Sequence, residues 1–66
     1  MANLLTITLA DGKKVETPAP CYVLQAYNGG KWVNLEVYPV TIEGMKQAES
    51  GYKRYDYPDM RVEMFN

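Results

Sequence analysis

Two alternating runs, CYVLQAY at residues 21–27 and KWVNLEVY at residues 31–38, flank Asn28-Gly29-Gly30. Glycines between runs of period two predict a tight β-hairpin, because the turns that match strand twist need positive φ. A two-residue Gly29-Gly30 loop pairs Tyr27 with Trp32, Ala26 with Val33, Leu24 with Leu35 and Tyr22 with Val37. Gln25 then meets Asn34, and Val23 meets Glu36, on the opposite face. An Asn28-Gly29 loop shifts the partners by two and keeps the same faces, whereas a three-residue loop without a bulge mixes them. Both consistent registers turn Trp32, the one tryptophan of the chain, away from the apolar face.

The rest of the chain supplies three strands and a helix. LLTITLA at residues 4–10 alternates and stops at Asp11-Gly12, a turn signal, after which KKVET returns as a short second strand. Pro18 and Pro20 remove two backbone donors and end that hairpin. Beyond Pro39 the period changes. Thr41 suits an N-cap, Glu43 suits the positive end of the helix dipole, and Ile42, Met45, Ala48 and Tyr52 fall on one helical face. Gly51 is the expected C-cap, giving about three turns. MRVEMF at residues 60–65 alternates again, with Met60, Val62 and Met64 inward and Arg61, Glu63 and Phe65 outward. The order β-β-β-β-α-β predicts one α+β domain over residues 1–66, a mostly antiparallel sheet with one helix packed on one face. Its expected apolar core is Leu5, Ile7, Leu9, Leu24, Val33, Leu35, Val37, Met45, Val62 and Met64.

Size and composition narrow the function. A chain of 66 residues buries only about 60% of its unfolded surface and is expected to need extra support. Cys21 is the single cysteine and histidine is absent, which excludes an internal disulfide, a zinc site and the usual catalytic triads. Self-association into a homodimer, or a partner, is the remaining support. Seven basic and eight acidic residues give a net charge of −1 with both signs scattered, which argues against electrostatic binding to nucleic acid or membrane. The opening MANLLTITLADGKK has neither a basic n-region nor a long apolar run, so a cytoplasmic protein without a signal peptide or membrane span is expected. Neither metal nor cofactor is expected, and neither is enzymatic activity.

One helix covers one sheet face. The other would carry Val23, Gln25, Tyr27, Trp32, Asn34, Glu36, Arg61, Glu63 and Phe65, a mixture of the kind that dominates binding hot spots. The expected function is therefore a non-enzymatic protein-binding module whose contacts are Tyr27, Trp32, Asn34, Arg61 and Phe65, with Tyr55 and Tyr57 of the loop after the helix. A homodimer packing Trp32 of one copy against Tyr27 or Phe65 of the other would use the same face. The alternative is a single-stranded nucleic-acid binder that stacks bases on Tyr55 and Tyr57 beside Lys53 and Arg54.

The segment WVNLEVYPVTIEGMKQA, continued by MRVEM, resembles small phage-encoded inhibitor and accessory proteins in its architecture. A strand ends in an apolar stretch, a Thr-capped helix follows, and a closing strand carries an Arg-Val pair. The resemblance implies a class of function: binding a host or defence protein and blocking it by occupying its surface.

Overall fold

The computed structural model describes residues 3–66. Five strands and one helix follow the expected order: β1 (Leu4–Thr8), β2 (Lys14–Pro18), β3 (Cys21–Asn28), β4 (Lys31–Pro39), α1 (Ile42–Arg54) and β5 (Met60–Phe65). The α+β class and the antiparallel pairing hold. The strands form two sheets, a β1-β2 hairpin and a three-stranded sheet in the order β4-β3-β5.

Local chemistry accounts for the turns. Gly12, Gly29 and Gly30 have φ of 91°, 64° and 84°, the left-handed region where a Cβ is penalised. Two consecutive positive values at Gly29-Gly30 are what a type I′ hairpin turn requires. The β1-β2 turn is closed by the Gly12 amide, which donates to the Leu9 carbonyl at 2.9 Å, and by the Asp11 carboxylate, which accepts from the Lys13 amide at 2.9 Å.

Near its turn the central hairpin has the expected register: Tyr27 opposite Trp32, Ala26 opposite Val33, Gln25 opposite Asn34. The pairing then slips by one residue, and Leu24 faces Glu36, Val23 faces Val37 and Tyr22 faces Tyr38. Leu35 is the extra residue of a β-bulge. The pairs Leu24–Leu35 and Tyr22–Val37 are therefore corrected, and so is the outward placement of Glu36. Leu35 and Tyr38 pack with Leu24, Ala26 and Ala48 beneath the helix, while Val37 joins Val23 on the opposite side.

That opposite side is not open. Ile7 packs with fully buried Cys21 and Val23, flanked by Leu5, Leu9, Val37 and Phe65. The β1-β2 hairpin thus covers one end of the second sheet face. It is tied to β4 where the Ala10 amide donates to Asn34 O at 2.7 Å, while the Ala19 amide, donating to Asn3 O at 2.8 Å, closes the open end of the hairpin itself. The structure has three layers, hairpin, sheet and helix, with an apolar cluster between each neighbouring pair.

The helix is capped by Thr41, whose hydroxyl accepts from the Gly44 amide at 2.9 Å. It does not end at Gly51. It runs to Arg54, and the Tyr55 amide caps it by donating to the Gly51 carbonyl. Its buried stripe is Gly44, Ala48 and Gly51, while Ile42 is 78% exposed and Met45 49%. Met45 and Met64, expected in the core, are thus about half exposed. The smallest side chains let the helix backbone sit close to the sheet, and the larger apolar ones are displaced to its flank. A Cβ on Gly51 would lie 2.6 Å from Leu24 Cδ2 and 2.9 Å from Tyr38 Oη, and one on Gly44 would collide with the Pro39 carbonyl oxygen.

The Gly44→Ala variant, whose Cβ meets backbone, should therefore be less stable, although alanine is the better helix former by about 1 kcal/mol. Overpacking of this kind costs about 1–3 kcal/mol. Urea denaturation should show a lower midpoint, and a midpoint equal to or above wild type would mean that the seat is not close-packed.

Candidate functional site

The face of the sheet beyond the hairpin carries a chain of polar contacts running across all three strands. It starts at the Thr8 carbonyl, which accepts from Asn34 Nδ2 at 3.1 Å. Gln25 Nε2 donates to Asn34 Oδ1 at 2.9 Å, and Arg61 Nε donates to Gln25 Oε1 at 2.8 Å. Arg61 also pairs with Glu63 at 3.3 Å. Gln25 is the hub and is buried, yet both ends of its amide are engaged. Among the described residues, every buried side-chain nitrogen and oxygen has a hydrogen-bond partner, as the cost of orphaning one requires.

At the end of this chain lies Trp32. The Arg61 guanidinium carbon stands 4.1 Å from the centre of its ring, a cation–π stack. Tyr27, its cross-strand neighbour, meets it edge-on with ring centres 5.4 Å apart. Two groups from two other strands thus fix the indole, while Trp32 stays 36% exposed and Tyr27 42%. The Tyr27 amide donates to the Asp59 carbonyl at 3.0 Å, which anchors the start of β5 beside the pair. On the other side of Trp32 an open cleft of about 530 Å³ separates the central hairpin from the end of β1. Leu9, Ala10, Lys31, Val33 and Asn34 are among its walls.

Of the residues singled out in the sequence, Tyr27, Trp32, Asn34 and Arg61 come together here. Phe65 does not. It lies half-buried against the Ile7, Cys21 and Val23 cluster, so a dimer packing this whole face would find the Phe65 end covered. Thr8 and Leu9 belong to the site through the hairpin's position, which strand alternation does not encode.

Tyr55 and Tyr57 sit elsewhere, on the helix side, half-buried against the main core with ring centres 6.4 Å apart. Lys53 is exposed. Arg54 is engaged: its guanidinium donates to Glu36 at 2.8 Å and to the Tyr38 hydroxyl at 3.2 Å, and lies 5.9 Å from the centre of the Tyr55 ring. The bulge brings Glu36 here. Burial first, and then the Glu36 carboxylate, push the Tyr38 hydroxyl up to about 12, with Arg54 opposing. Hydrogen bonding to Glu36, followed by burial, raises Tyr55. Burial alone raises the Cys21 thiol, the opposite of what a reactive cysteine needs.

A tyrosine whose folded pKa lies above its unfolded value of about 10 favours folding below that value. This contribution is lost as pH rises through the folded pKa. Tyr38 should therefore add a loss on the order of 2 kcal/mol between about pH 10 and 12. Melting curves across that window should fall more steeply for wild type than for the Tyr38→Phe variant, and parallel slopes would show that Tyr38 ionises without penalty.

Among the described residues no helix is long and apolar enough to cross a membrane. Compared with known proteins, the chain matches no family model, no curated protein and no solved structure.

Proposed function

We propose that this protein is a non-enzymatic binding module that acts by occupying the surface of a protein partner, with Trp32 as its anchor. The observation that carries this reading is the clamp on Trp32. An exposed indole held between Arg61 and Tyr27 offers a large apolar surface that has already lost its rotamer freedom, so little ordering remains to be done on binding. Trp, Tyr and Arg are also the residues most enriched in binding hot spots. The cleft beside the indole would take an apolar side chain of the partner, with Lys31 at its rim. On this reading the protein works in the cytoplasm, in the manner of small phage inhibitors that block a host or defence protein.

The nucleic-acid reading has weaker support, because Arg54 is committed to Glu36 and Tyr55 and Tyr57 pack against the core. A single-stranded oligonucleotide should leave tyrosine and tryptophan fluorescence unchanged at low salt.

The deciding comparison is affinity capture from host lysate with wild type and with the Trp32→Ala, Tyr27→Ala double variant. Hot-spot truncation costs 2 kcal/mol or more, roughly 30-fold or more in affinity. The protein captured by wild type should be lost from the double variant, whose circular dichroism should remain that of a folded chain. Equal capture by both would place the binding surface elsewhere.

A further inference from the structure

Strand β5 pairs with β3 on one side, and among the described residues no strand pairs with its other side. An open edge is a template for another strand. The remaining edge of the sheet, β4, differs, since the Asn34 carbonyl there already accepts from Ala10. Met64 on β5 is 51% exposed, and the side chains of Arg61 and Glu63 are 42% and 45% exposed. Beside Met64 lies its cross-strand partner Tyr22, which with Ile42 and Met45 lines a shallow apolar groove. The helix sits over β4 and β3 and leaves this flank open.

The sequence of β5 says which strand fits. Met60-Arg61-Val62-Glu63-Met64 is complementary to itself when reversed. Paired residues of antiparallel strands share a face, so a two-fold axis perpendicular to the sheet must pass where a residue faces its own copy. Centred on Arg61, that residue would oppose a second Arg61. Centred on Glu63, two carboxylates would meet. Centred on Val62, Arg61 faces Glu63 of the second copy twice over, Met60 faces Met64 twice over, and Val62 faces itself. Directly opposed like charges destabilise a ladder and opposite charges support it, so among these registers Val62 is the centre that charge permits. Self-complementarity about an axis is what an isologous interface demands.

We propose that the protein forms a homodimer by antiparallel pairing of β5 with its copy about Val62, joining two three-stranded sheets into one of six strands. Both helices then lie on the same side, and the Met60, Val62 and Met64 rows of the two copies lie side by side. Trp32, on β4 at the far edge of each sheet, stays exposed.

Sedimentation velocity tests this directly. Wild type should sediment as a dimer at high micromolar concentration. The Arg61→Glu and Glu63→Arg variants each place like charges opposite one another, and each should dimerise roughly tenfold or more weakly. An equimolar mixture of the two should recover dimers, because opposite charges then meet in the heterodimer. A monomeric wild type, variants that dimerise like wild type, or a mixture that stays monomeric would overturn the proposal. Arg61 also supports Gln25, so a second measurement avoids substitution. Alternate β5 amides of wild type should gain exchange protection as concentration rises, and protection independent of concentration would count against the dimer. The Trp32→Ala, Tyr27→Ala variant should dimerise as wild type does, which separates this interface from the proposed binding surface.

Discussion

One extra residue in β4 decides which side chains meet which layer. At the Leu35 bulge, Leu35 and Glu36 together stand opposite Leu24, and every later position of the strand changes face. Without the slip, Glu36 would face Val23 on the hairpin side, in the half-buried position beside the Ile7 and Cys21 cluster that Val37 now fills. Burying an unpaired charge is among the costliest arrangements available to a chain. With the slip, Glu36 emerges beside Arg54, Val37 enters the hairpin cluster and Tyr38 closes the helix cluster. The bulge is therefore what lets a three-stranded sheet present an apolar surface to layers on both of its faces.

Much of this was legible in the sequence. Element order, the Thr41 cap, both glycine turns and the register next to Gly29-Gly30 all follow from residues within a few positions of one another. What escaped depended on distant contacts. LEVY alternates equally well with or without a bulge, since Leu35, Val37 and Tyr38 can each be apolar-facing, and only the layers above and below choose. The fold-back of β1-β2 over the sheet leaves no local mark except the apolar character of Leu5, Ile7 and Leu9. The helix misled because periodicity weighs large apolar residues, whereas the close-packed stripe is made of Gly44, Ala48 and Gly51. That Tyr27, Trp32, Asn34 and Arg61 share a face follows from strand alternation, which in β4 holds on the turn side of the bulge. Phe65 shares that face, and its burial depends on the hairpin above it, which alternation within β5 does not encode.

The polar chain from Thr8 to Arg61 gives the hairpin a role besides covering apolar surface. Its end fixes Asn34, Asn34 orients the Gln25 amide, and Gln25 aims Arg61 at the indole. A network built around a buried amide resists rearrangement, because shifting Asn34 or Arg61 would orphan one end of Gln25. The orientation of Trp32 is thereby tied to β1 through three successive hydrogen bonds.

The seat of the helix has a consequence for how the molecule comes apart. A helix of 13 residues is marginal by itself even with good formers, and each interior glycine weakens it further. Gly44 and Gly51 are tolerable only because they let the backbone approach Pro39, Leu24 and Tyr38. Detached from the sheet, this segment has little reason to stay helical; detached from the helix, Leu24, Leu35 and Tyr38 lose their cover. Secondary structure and core packing therefore stand or fall together, and the sheet and its helix form a single cooperative unit with no stable helical remnant.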